Sequence, residues 1–300
     1  MLLAGATAVI SGLAVFVNGY GVRAWAEVAD PTTYTTLKNG VAALILSAVL
    51  IATKTRRGDA GSWKPQRPGE WGALGVVAVV GGAVPFVLFF EGLALASSVQ
   101  AAFIHKTLVV WVAILAVGIL RERLGRPQLV AIVLLVVGHA TLAGGLGGME
   151  LGLGETLIFF ATLLWSIEVI LAKRLLASVS SHTLAVARMG GGTVLLLGYI
   201  LLRGGFGDLS GIGWQHLMWV LATGLVLSGY VGTWFAALSR APAVDVTAVL
   251  VGGAIITALL RSVVAGTTPV SPLGLVLIGA GVLVVFLSGG GLRRPRPSSS

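Results

Sequence analysis

The sequence predicts an all-α integral membrane protein of ten transmembrane helices, arranged as two inverted five-helix repeats. Three observations predict it. First, 56% of the 300 residues are hydrophobic and only 10% are charged, with a mean hydropathy of +0.98. That leaves too little polar surface for a water-soluble fold of this length. Second, the polar residues gather in short stretches between apolar runs of 18 to 25 residues, the length that crosses about 30 Å of hydrocarbon. Third, the chain aligns on itself.

Taken in order, helices are expected at 2–24, 33–53, 71–95, 98–120, 127–146, 153–175, 182–202, 214–238, 243–265 and 272–290. The first run has no basic segment before it and is too long for a signal-peptide core, so it reads as a retained helix. Clusters of Gly, Pro, Ser and charge separate the others. The longest is KTRRGDAGSWKPQRPGE, Lys54 to Glu70. The tail LRRPRPSSS has no apolar content and is expected to be disordered. The expected domains are therefore 1–148, 149–290 and a disordered cytoplasmic tail, 291–300.

Charge fixes the expected orientation. With the N-terminus inside, 14 of the 20 Lys and Arg fall on the cytoplasmic side and three, Arg23, Arg203 and Arg261, on the other. Lys38, Lys106 and Arg188 lie inside helices. This bias puts both termini in the cytoplasm; the expected location is the cell (plasma) membrane. It also explains the net charge of +9 without invoking nucleic acid. The chain has no cysteine, which removes disulfides, thiol catalysis and thiolate metal sites.

A shift of 150 residues lays segment 5–51 on 155–201, with Asn18 on Glu168, Arg23 on Lys173, Lys38 on Arg188 and Gly40 on Gly190. A shift of 143 lays the third helix on the eighth, with Trp71 on Trp214 and Glu91 on Trp234. Five helices per half is an odd number, so the second half enters the membrane from the opposite side. Such inverted repeats give a transporter two near-equivalent conformations, with the solute site between the halves near the midplane.

The segment ATLLWSIEVILAKRLLASVSSHTLAVARMGGGTVLLL, 161–197, resembles the start of an EamA-type domain of the drug/metabolite transporter superfamily: Trp165, Lys173 and Arg188 match its pattern. LRERLGRPQLVAIVLLVVGHATLA, 120–143, resembles the acidic turn and final helix of the same domain, with Glu122 as the acid. The resemblance covers nearly the whole chain as two tandem domains. It implies an exporter of amino acids, other metabolites or drugs. The chain departs from the pattern in four places: Val15 stands where helix 1 would carry Trp, Lys38 replaces Arg, helices 4 and 9 lack a midhelix Pro, and the turn VAGTTPVSP lacks the Glu.

An ionisable group inside a bilayer costs roughly 2.5–3.5 kcal/mol on insertion scales, so it usually faces a cavity or a partner. Lys38, Glu91, His105, Lys106, Glu168, Arg188 and Asp245 qualify. The first four lie toward the outer side, the last three toward the inner side. Thr162, Trp165 and Glu168 are three apart and form one stripe. Gly12, Val15 and Asn18 are their counterparts, and Tyr230 and Trp234 form a second stripe whose counterparts are Val87 and Glu91. The candidate cavity is therefore Asn18, Lys38, Glu91, His105, Lys106, Trp165, Glu168, Arg188, Tyr230, Trp234 and Asp245. Lys38 and Arg188 are expected to act as gate cations, meeting Glu91 on the outer side and Glu168 or Asp245 on the inner side. Plainer readings compete: Lys38 and Glu91 as snorkelling groups, Asp245 as a carboxylate at a helix start, His139 as packing, and Glu122, Lys173 and Arg174 as loop residues.

No HExxH, P-loop or GxSxG motif is present, so no catalytic residue, metal or cofactor is expected. The expected function is secondary active transport of small polar metabolites, most simply amino acids or related compounds, by alternating access. A passive channel or facilitative pore is the alternative. The expected partners are a small-molecule substrate and the lipid bilayer, with a proton as coupling ion or an exchange substrate, and a homodimer as the candidate assembly; no nucleic acid is expected.

Overall fold

A computed structural model describes residues 1–57, 64–96, 98–144, 152–206, 210–266 and 271–289. The tail 291–300, residues 58–63 of the Lys54–Glu70 loop and residues 145–151 between the halves lie outside the described residues. Among the described residues, eight helices are long and apolar enough to cross a membrane: α1 (Leu2–Trp25), α2 (Pro31–Thr53), α3 (Pro68–Leu93), α4 (Gln100–Leu120), α6 (Leu153–Leu175), α7 (Ser181–Leu202), α8 (Trp214–Leu238) and α9 (Ala243–Ala265). Two shorter apolar helices, α5 (Arg126–Leu142) and α10 (Pro272–Ser288), complete the ten. The fold is all-helical, with bounds within a few residues of those expected. The largest difference is α5, which stops at Leu142 because Gly144 turns the chain with φ +88°.

Helix starts are set by side chains that reach back to free backbone N–H groups. Asp30 accepts from the N–H of Thr32 (2.9 Å) and Thr33 (3.0 Å), just before Pro31 opens α2. Glu70 accepts from Gln66 N–H at 2.7 Å at the start of α3. Glu155, Ser180 and His216 do the same for α6, α7 and α8.

The packing repeats itself. α1 packs on α8 and α9, while α6, the equivalent of α1, packs on α3 and α4, the equivalents of α8 and α9. α2 packs on α7 and α8, and α7 on α2 and α3. α5 and α10 pair with each other beside the bundle, where Gly138, Gly274 and Gly281 let the two backbones approach. The main contacts of one half thus have their counterparts in the other. Leu44, Ile51, Val133, Val194 and Leu283 are among many large apolar side chains left on the outside, the surface that lipid requires.

Several helices are irregular inside the membrane. α4 breaks at Thr107, between helical segments Ser98–Lys106 and Leu108–Leu115, and α9 breaks at Gly252, between Ala243–Val251 and Gly253–Ala265. The two breaks are equivalent positions of the repeats, so the missing midhelix prolines are replaced by other means. Thr107 turns its hydroxyl back onto the Ile104 carbonyl at 2.6 Å, while Gly252 has no side chain to resist. α3 and α7 each carry a π-helical segment, Ala78–Ala83 and Ala187–Gly191, and these two segments touch. They cross at Gly82 and Gly192, where a Cβ on Gly82 would lie 2.9 Å from the Gly192 Cα. π-Helical turns are rare and are frequently found at functional positions.

Candidate functional site

The two π-helical segments hold an ion pair. Arg188, inside the α7 segment, places Nε 3.3 Å from Glu168 Oε1 of α6. Their side chains are 8% and 2% exposed. Gly81, inside the α3 segment, makes room: a Cβ there would come within 2.8 Å of Glu168 Cδ and 3.2 Å of Arg188 Nε. The Gly81 carbonyl accepts the indole N–H of Trp165 at 3.1 Å. Trp165 and Glu168, three apart on α6, therefore share one face, as the spacing requires.

Aromatic rings pack beside this pair. Phe86 meets Trp165 edge-on at 5.5 Å and lies 5.8 Å from the Arg188 guanidinium. Phe90 stacks on Phe86 at 6.5 Å with a 7° interplanar angle. His105 of α4 packs against Trp165 at 4.9 Å and Phe89 at 5.5 Å. Tyr230 and Trp234 of α8 stack at 6.3 Å, and Tyr230 lies within electrostatic reach of Arg188 and Glu168.

Lys38 stands at the other end of the Phe90–Phe86 stack. Its Nζ lies 5.2 Å from the Phe90 ring and 5.4 Å from Tyr34, and donates to Asn18 Oδ1 at 2.9 Å. Lys38 is 5% exposed; it is enclosed by rings and an amide rather than reaching for headgroups. The neighbouring Asn39 and Thr35 are buried with side-chain polar atoms that have no hydrogen-bond partner. A buried amide with no partner in a helix centre is uncommon and calls for a water or ligand group.

The structure thus brings together Asn18, Lys38, His105, Trp165, Glu168, Arg188, Tyr230 and Trp234. It sets three candidates apart. Glu91 does not meet Lys38; it pairs with Arg203 at 2.8 Å, with side chains 41% and 56% exposed. Asp245 does not meet Arg188; it is buried in the first turn of α9 beside Glu122 and Gln128. Lys106 lies within electrostatic reach of His105 and His139, and His139 stacks on Phe103. The α1 stripe is only partly a counterpart of the α6 stripe: Gly12 packs into α9 and Asn18 reaches Lys38, but Val15 is 44% exposed.

Sequence reasoning missed Phe86, Phe89, Phe90 and Asn39. The spacing of Phe86 and Phe90 was a usable signal, but the repeat match pointed to Val87 and Glu91, one residue away. α3 contains a π-helical segment and α8 has no counterpart, so one ungapped shift cannot hold on both sides of it. The roles of Glu122 and Lys173 were also invisible. Glu122 accepts from the N–H of Ala243 at 2.9 Å and Val244 at 3.4 Å, capping α9 from the other half. Lys173 donates to the Leu238 and Ala241 carbonyls at 2.6 and 2.7 Å, closing the end of α8.

The model of the EamA-like transporter family matches residues 1–143 and again 152–287. The chain belongs to the EamA-like transporter family. Members of that family are membrane transporters of small solutes rather than enzymes, and this EamA protein is accordingly a multi-pass membrane protein whose partners are a small-molecule substrate and a bilayer. A solved crystal structure superposes on it with a TM-score of 0.77 at 17% sequence identity, covering 98% of each chain; that likeness shows the fold. No curated protein matches the chain.

Proposed function

We propose that this EamA protein is a secondary carrier that exports small polar metabolites, amino acids or related compounds, by alternating access. One observation supports this reading above the rest. Lys38 and Arg188 are equivalent residues of the two repeats, each seven positions into a helix that starts from opposite membrane faces. They flank a single strip of aromatic rings in the centre. A symmetric pair of cations around one central site is what two alternating gates need. The solute-lining residues are taken as Asn18, Lys38, His105, Trp165, Glu168, Arg188, Tyr230 and Trp234, with Glu91, Lys106 and Asp245 nearer the two faces.

The charge bias supports an orientation with both termini cytoplasmic, and the plasma membrane is the location taken for this carrier. The two units are 1–148 and 149–290. Uphill export then draws on a proton gradient or on exchange, and a homodimer is the candidate assembly. Reconstitution into liposomes with labelled amino acids, sugars and organic acids tests the reading. The carrier predicts saturable flux accelerated by unlabelled solute on the far side. Single-channel currents, or flux linear in concentration, would establish the pore instead.

A further inference from the structure

We infer, on the carrier reading above, that the solute is an organic anion with a flat apolar body and no required amine. The charges around the central rings do not balance. Glu168 is the acid there, and Arg188 engages it at 3.3 Å. Lys38 is 5% exposed and has no ion-pair partner among the described residues; its one hydrogen bond goes to the neutral Asn18 amide at 2.9 Å. Glu91 is held by Arg203 at the surface, and Asp245 sits at the start of α9. The centre therefore carries two cations, Lys38 and Arg188, against one carboxylate, Glu168.

An ammonium away from water is costly unless paired. The faces of Phe90 and Tyr34 at 5.2 and 5.4 Å offset part of that cost. A carboxylate or similar anion brought by the solute offsets more. The remainder of the solute then lies along Phe90 and Phe86, whose rings are within 7° of parallel and end at the edge of Trp165. Offset stacking against such a strip favours a planar apolar group. A solute amine finds no free acid, because Glu168 is already engaged. Anions are thus preferred over zwitterions, and zwitterions over cations.

Three compounds on one phenethyl skeleton separate these charge states: 3-phenylpropionate, phenylalanine and phenethylamine. Binding to the purified full-length protein is read by tryptophan fluorescence and by thermal stabilisation. The expected order is 3-phenylpropionate tightest, phenethylamine weakest, with about a tenfold or larger gap between them. Lys38→Gln should abolish the preference and Lys38→Arg should keep it. Equal or tighter binding of phenethylamine overturns the inference, as does a preference unchanged in Lys38→Gln, or no binding of any of the three. The wild-type ranking stands as a test even where Lys38→Gln does not fold. An anion preference in binding with no counterflow of 3-phenylpropionate in liposomes would instead overturn the carrier reading and leave the charge preference in place.

Discussion

Lys38 and Arg188, 150 residues apart and equivalent in the two repeats, cap opposite ends of the stacked Phe90–Phe86 pair, at 5.2 and 5.8 Å from the nearer ring. Their immediate partners differ: Arg188 has a carboxylate and Lys38 has an amide. The repeat offset of 150 accounts for this, because it places Asn18 on Glu168. The two cations therefore meet equivalent positions, and one substitution between the repeats makes the pairs unequal.

This inequality has a measurable consequence for stability. Removing one member of the buried Arg188–Glu168 pair strands the other. Arg188→Leu or Glu168→Leu should each lower unfolding stability by about 3–5 kcal/mol. The double variant should recover most of it without recovering transport. Chemical unfolding in detergent checks the first part, and liposome flux the second. A double variant as unstable as the singles would mean that the pair is held for packing.

The crossing of α3 and α7 depends on missing side chains. Gly82→Val should lose about 1–3 kcal/mol through overpacking, because the Gly192 backbone leaves no space for it. Gly190→Val, on the same π-helical segment as Arg188 but with nothing within 4 Å of a Cβ, should change the melting temperature little. Similar losses in both variants would contradict the assigned contact.

Glu91 and Arg203 form a surface pair, and exposed pairs contribute little. Glu91→Gln should leave both melting temperature and transport near wild type, whereas Lys38→Gln should abolish transport. Loss of transport in Glu91→Gln, measured as initial flux at saturating solute, would return Glu91 to the central site.

Much of this was legible in the sequence, and the remainder was hidden for identifiable reasons. Apolar runs gave ten helices because the bilayer imposes a length on them. Trp165, Glu168 and Arg188 stood out because a polar group in an apolar run needs a partner. The Phe86–Phe90 face was obscured by a π-helical segment that has no local signature. The break at Thr107 lacks the Pro or Gly that would announce it. Glu122 looked like a loop residue because its partners, Ala243 and Val244, are more than a hundred residues away, a distance that only tertiary packing spans.

Alternating access through the two cations can be tested most directly with cysteines at Thr35 and Ala185. These are also equivalent residues, each three positions from its cation on the side of its own membrane face, and both are buried, at 1% and 0% exposure. The chain has no native cysteine, so each reports alone. Labelling rates would be measured in wild type, Lys38→Gln and Arg188→Gln. Loss of a pair that forms in one state shifts the equilibrium by about 1–3 kcal/mol, or roughly 5- to 150-fold. Arg188→Gln should raise labelling at Ala185→Cys and lower it at Thr35→Cys, and Lys38→Gln should do the reverse. Shifts in the same direction at both cysteines, in either background, would contradict the alternating gates.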